Sequence, residues 1–147
     1  MRRPIALTAI TVTLAGAAFA HTGVKNAAVK ARMDGMSAIA AEMKTLGQMA
    51  KGAIAFDAGM AKAAAANIAK HAAETPTLFE AEEDDPKSEA KAEIWENFAD
   101  FTAKSDRLEA LALELSLGIA VESDLATAMK SLGATCQACH KDYREEK

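Results

Sequence analysis

Seven side chains, Val29, Arg32, Met36, Ile39, Met43, Leu46 and Ala50, follow one another at steps of three and four. A helix puts such positions on one face, so a helix with a single buried stripe is predicted from about Val24 to Ala50, closed by Gly52. Asp57 is a suitable N-cap for a second, alanine-rich helix to about Glu74, with Met60, Ala64 and Ile68 inward and Thr75-Pro76 as its stop. Asp85-Pro86 reads as a cap followed by a first helical position. It opens a third helix to about Leu117, striped by Ile94, Phe98, Phe101, Leu108, Leu111 and Leu115. After Gly118, Ser123 and Asp124 start a last helix with Leu125, Met129, Leu132, Cys136, Cys139 and Tyr143 on its inner face.

Half of the 147 residues are hydrophobic, enough to bury one core in one domain. Alanine is abundant, and runs of Val, Ile and Thr at strand spacing are missing. The expectation is therefore an all-α chain, an antiparallel up-down-up-down four-helix bundle with any cofactor held among facing helices. The longer connection from Thr75 to Asp85 carries Glu80, Glu82, Glu83, Asp84 and Asp85. Such a run is conceivable as a metal site but far more often a solvated loop, and it is read as surface.

Arg2 and Arg3 precede an apolar stretch from Ile5 to Phe19 that ends on Ala18-Phe19-Ala20, the small-x-small pattern of a signal-peptidase site. Residues 1–20 are thus read as a cleaved secretory signal peptide and 21–147 as the mature, periplasmic domain. A retained anchor is the alternative, but the stretch is interrupted by Thr8, Thr11 and Thr13 and falls short of the roughly 20 apolar residues a span needs. Loss of two arginines leaves a net charge of about −6. That balance argues against nucleic acid as a partner, because phosphate contacts need a positive surface.

The chemistry concentrates in Cys136-Gln137-Ala138-Cys139-His140. Two thiols three residues apart on one helical turn can each form a thioether to a porphyrin vinyl group, and the adjacent imidazole then reaches the iron: this is a c-type haem attachment site. A disulfide or a redox-active Cys-x-x-Cys pair is the competing reading, but such pairs normally open a helix after a strand. A zinc site would need a second Cys or His pair.

At this point the chain resembles a known family, the class II c-type cytochromes, comprising the cytochromes c′ and c-556. Cys136-x-x-Cys-His with Lys141-Asp142-Tyr143-Arg144 is similar to the family's carboxy-terminal helix. Ala31-Arg32-Met33-Asp34-Gly35-Met36 is similar to its distal segment, and Glu89-Ala90-Lys91-Ala92-Glu93-Ile94-Trp95 to its entry into the third helix. The resemblance covers residues 24 to 147. It implies one covalent haem c on Cys136 and Cys139, with His140 as proximal iron ligand. Arg144 would lie beside His140 and tune its electrostatics, although an arginine solvated at a helix C-terminus fits as well. Arg32 matches an arginine facing a haem propionate, a partner a buried charge on this stripe needs. Met33 and Glu89 match positions near the haem edge. Relatives often pair through their first two helices, so a homodimer through those helices is expected, and the small residues Ala61 to Ala66 permit close approach but equally suit ordinary packing.

Met36 corresponds to the family's distal position. If its sulfur bonds the iron, the haem is six-coordinate with a raised potential suited to electron transfer between redox partner proteins, the c-556 behaviour. If it only packs, as a methionine on an apolar stripe commonly does, the iron is five-coordinate and takes nitric oxide or carbon monoxide, as in cytochromes c′. Some cytochromes c′ carry a methionine here that is not a ligand, and Arg32 with Met36 is similar to them; the short charged loop before Ser88, without the glycine-rich turn of many cytochromes c′, leans towards coordination. An enzyme such as a peroxidase would need a distal acid-base residue, and the stretch around Met36 offers none. His71 is read as an exposed residue and not a second ligand, His21 as the mature amino terminus, and Trp95, Phe98 and Phe101 as core aromatics rather than porphyrin-stacking groups.

Overall fold

The computed structural model describes residues 23–146. The leader at 1–20 and His21 lie outside these described residues. Among those described, α1 spans Ala27–Ala50, α2 Ala58–Leu78, α3 Glu93–Glu96, α4 Phe98–Gly118 and α5 Asp124–Tyr143. The chain is all-helical, and α1, α2, α4 and α5 form a four-helix bundle. Each long helix packs on the next in chain order and α5 packs back on α1, while the backbones of the diagonal pairs stay farther apart. Neighbours run antiparallel: Phe79 at the end of α2 meets Phe101 near the start of α4 with ring centroids 5.0 Å apart. Tyr143 at the end of α5 reaches Asp100 at the start of α4.

The caps of α1 and α2 are local. Asn26 accepts the amide of Val29 at 3.0 Å and Asp57 that of Met60 at 2.7 Å, each satisfying an orphan donor of its first turn. Gly52, at φ +67°, supplies the left-handed residue that turns the chain out of α1.

Several expectations are corrected. The α1 stripe ends on buried Met49, with Ala50 exposed, because a 3.6-residue turn drifts against a strict seven-residue repeat. On α2 the inner face is Ala61, Ala64, Ala65, Ile68, Ala69 and Ala72, and Met60 points outward, 49% exposed. The helix does not stop at Thr75-Pro76 but runs on to Leu78 with Pro76 inside it. Pro76 has no amide to offer Ala72 four residues back, and Ser105 of α4 donates its hydroxyl to that same carbonyl at 2.7 Å. A buried side chain from the next helix thus makes good what the proline removes.

The third helix does not start at Pro86. Asp85 is buried and accepts the amides of Lys25 (2.8 Å), Asn26 (3.1 Å) and Lys87 (2.9 Å), so its carboxylate ties a turn to the entry of α1. These three amides hold its pKa below the ordinary aspartate value. It is therefore not part of a fully solvated acidic loop, although Glu80, Glu82, Glu83 and Asp84 are exposed. Ser123 makes no side-chain cap; Asp124 instead accepts the amides of Ala120 (2.9 Å) and Val121 (3.0 Å).

Candidate functional site: a cavity between the first and last helices

The core divides into two clusters. One follows the alanine face of α2 against Leu46, Met49, Ala112, Leu125 and Leu132. The other gathers Phe79, Ile94, Phe101 and Tyr143 at the opposite end, with Met36 and Cys139 packed against it. Beside this second cluster lies a cavity of about 680 Å³, within the roughly 300–1,000 Å³ usual for cofactor sites. Its walls are α1, the first half of α4 and the second half of α5, closed at one edge by Ser88, Glu89 and Ala90.

All eight residues singled out from the sequence line this cavity: Arg32, Met33 and Met36 from α1, Glu89 from the connection, and Cys136, Cys139, His140 and Arg144 at the end of the chain. Helical spacing explains the α1 set, since Arg32 and Met36 are one turn apart. On α5, Cys136 and Cys139 share the inward face with Leu132 and Tyr143. Both thiols are free, and burial raises their pKa, that of Cys139 to about 11. They are neutral S–H groups, chemically suited to thioether formation. Burial and the neighbouring Arg144 guanidinium lower the pKa of His140, with Glu89 opposing, so the ring is available as a neutral ligand.

Arg144 is held in turn. Its Nη2 and Nε lie 2.7 and 2.8 Å from Glu89 Oε2. The backbones of the two segments are joined alongside, Lys91 N donating to Tyr143 O at 3.1 Å and Glu145 N to Glu89 O at 2.8 Å. Arg32, 2% exposed, finds its partners within the protein, donating to the carbonyl oxygens of Leu78, Ala81 and Glu83. The buried charge therefore has polar partners within the chain.

His71 stands apart from the cavity, its Nδ1 3.1 Å from Glu74. Of the three aromatics, Phe101 lines the cavity while Trp95 and Phe98 pack against the second cluster. Lys104, Phe79 and Tyr143 also line it, and the sequence reading assigned none of them to the site. Lys104 is bridged to Asp100 and Asp142, both at 3.1 Å, and these carboxylates raise its pKa. Its signal was a cation at stripe spacing between Phe101 and Leu108.

A sequence profile described as Cytochrome C' matches residues 27–144. The chain belongs to the cytochrome c′ family. Cytochrome c-556 of Agrobacterium tumefaciens (strain B2A) is 39% identical over 120 residues, covering 81% of this chain and 98% of the relative. Cytochrome c' of Cereibacter sphaeroides is 38% identical over 122 residues, covering 79% and 81%. The solved structure of cytochrome c' from Rhodopseudomonas palustris superposes with a TM-score of 0.77 at 26% identity, covering 84% of this chain and 99% of that one. As a member of the cytochrome c′ family the chain is a monohaem cytochrome whose cofactor is haem c. The cavity fits that group in size and donor set: two neutral thiols, an imidazole and, on the facing helix, thioethers.

Proposed function

We propose that this cytochrome is an exported, periplasmic electron carrier and not an enzyme, with Cys136 and Cys139 forming the thioethers to haem c and His140 and Met36 binding the iron from opposite sides. The observation that carries the reading is the position of Met36, on the α1 wall of the cavity and packed against the same cluster as Cys139. A histidine-methionine pair raises the potential of a haem iron into the range useful for electron transfer. Such a carrier needs only a small, transient docking face for its redox partner proteins. Pairing of two copies through α1 and α2 belongs to the same reading, supported by the outward Ala63, Ala66 and Ala73.

Each residue has a defined task. Cys136 and Cys139 anchor, His140 and Met36 bind, and Arg144 with Glu89 sets the charge beside the imidazole. Apart from Ser37 and the carbonyl-bound Arg32, the α1 wall offers thioethers and hydrocarbon, namely Met33, Met36, Ile39, Ala40 and Met43, a poor setting for acid-base catalysis. The test is the absorption spectrum of the ferric and ferrous protein before and after Met36→Ala. A low-spin spectrum with a thioether-to-iron band that the substitution abolishes is expected. A high-spin spectrum in the unaltered protein, with ready binding of carbon monoxide, would overturn the carrier reading in favour of a gas-binding cytochrome.

A further inference from the structure

We propose that Arg32 is a positioning residue of the haem site: it clamps the segment 78–83, and through Phe79 sets the wall against which Met36 packs. This rests on the assignment of the cavity to haem made above.

The guanidinium is used as a fork. Nε donates to Leu78 O at 2.9 Å, Nη1 to Glu83 O at 2.7 Å and Nη2 to Ala81 O, so one side chain gathers three carbonyls from the chain leaving α2. Its carbon also stands 4.8 Å from the centroid of Phe79 and 5.2 Å from that of Trp95. Trp95 completes the arrangement by donating Nε1–H to Phe79 O at 2.8 Å. Planar, many-donor recognition of this kind is specific to arginine, because a lysine ammonium is a point charge that cannot hold three separated acceptors and stack on two rings. Burial lowers the pKa of Arg32 against the attraction of Glu83 and Asp84, as expected of a cation enclosed chiefly by neutral dipoles.

The clamp is connected to the site. Phe79 lines the cavity and packs on Phe101, and Met36 lies one turn after Arg32 and against the same cluster. If the segment 78–83 were released, Phe79 would lose both its backbone tether and its stacking partner, and the wall beside Met36 would loosen.

Trp95 is the single tryptophan, so its shielding reports on the clamp directly. In the haem-loaded full chain, Arg32→Lys and Arg32→Gln are compared with the unaltered protein by acrylamide quenching of Trp95, by the thioether-to-iron band and by the rate of carbon monoxide binding. Both substitutions are expected to increase quenching, weaken the band and raise the carbon monoxide rate several-fold. Full rescue by lysine would overturn the proposal, since charge alone would then suffice, and so would unchanged quenching in Arg32→Gln. Should the arginine variants fail to fold, Phe79→Leu keeps the three carbonyl bonds. It is expected to raise the carbon monoxide rate while leaving Trp95 shielded, and an unchanged rate would overturn the link to the cavity. A high-spin spectrum in the unaltered protein would count against ligation by Met36, whereas Trp95 quenching tests the clamp independently of the iron's ligands.

Discussion

Arg144 and Glu89, 55 residues apart in sequence, meet through two nitrogens at 2.7 and 2.8 Å and bind the tail after α5 to the segment that leads into α3. The pair brings a carboxylate and a guanidinium to the side of His140, where they pull its pKa in opposite directions. Glu89→Gln removes the negative member. The midpoint potential should rise by on the order of tens of millivolts, a one-electron couple changing tenfold in equilibrium constant per roughly 59 mV. Stability should change by less than about 1 kcal/mol, because the arginine is largely exposed. Potentiometric titration and thermal unfolding of the same sample check both outcomes.

Ser105→Ala should destabilise the bundle by about 1–3 kcal/mol, the cost of leaving a buried carbonyl unpaired. The cost is tied to Pro76, so it should shrink in a Pro76→Ala background, where residue 76 again offers an amide to Ala72. A double-mutant cycle by urea unfolding measures this coupling, and strict additivity would exclude it.

Tyr143 is the only tyrosine, and its phenol, buried and bonded to Asp100 at 2.6 Å, has its pKa raised to about 12. A phenol harder to ionise in the folded state than in the unfolded state stabilises the fold below the ordinary tyrosine value of about 10 and loses that contribution as pH rises from there towards 12. Carbon NMR of the ring should show the late titration, and Tyr143→Phe should flatten the alkaline loss of stability.

The carboxylate of Asp85 behaves in the opposite sense. Its lowered pKa means that its contribution is present above the ordinary aspartate value of 3.8 and disappears as pH falls through the lower folded value. Asp85→Asn should therefore be less stable at neutral pH and show a shallower dependence on acid below about pH 4, as followed by circular dichroism.

The alanine face of α2 leaves no room for a larger side chain at Ala65, which is fully buried. Ala65→Leu should cost about 1–3 kcal/mol by overpacking, while Ala66→Leu on the outer face should cost little. Denaturant midpoints of the two variants provide the comparison.

What could be read from the sequence follows a physical division. Helical period alone put Met36 and Arg32 on one face and both cysteines on another, and the cavity lies where those faces meet. The features that escaped reading depend on partners far along the chain. Pro76 looked like a stop because Ser105, 29 residues later, is what satisfies the carbonyl it orphans. Asp85 looked like a helix cap because two of the amides it holds precede it by 59 and 60 residues. The three carbonyls that Arg32 gathers went unread because they belong largely to an irregular segment with no periodic signature. Lys104 went unread because one of its two carboxylates, Asp142, lies on α5, far along the chain.

The closed ring of neighbours, in which α5 returns to lie on α1, has a bearing on the order of assembly. Contacts between α1 and α2, and between α2 and α4, join consecutive stretches and can form as soon as those stretches exist. The wall bearing Met36 and the wall bearing His140 are about a hundred residues apart, so closing that seam carries the largest loop entropy in the molecule. The contacts of α2 with α1 and α4 are therefore the more local ones, and the α1–α5 seam beside the cavity is the least local. If that seam closes last, the Cys136-x-x-Cys139-His140 turn stays accessible on its helix until α5 docks on α1.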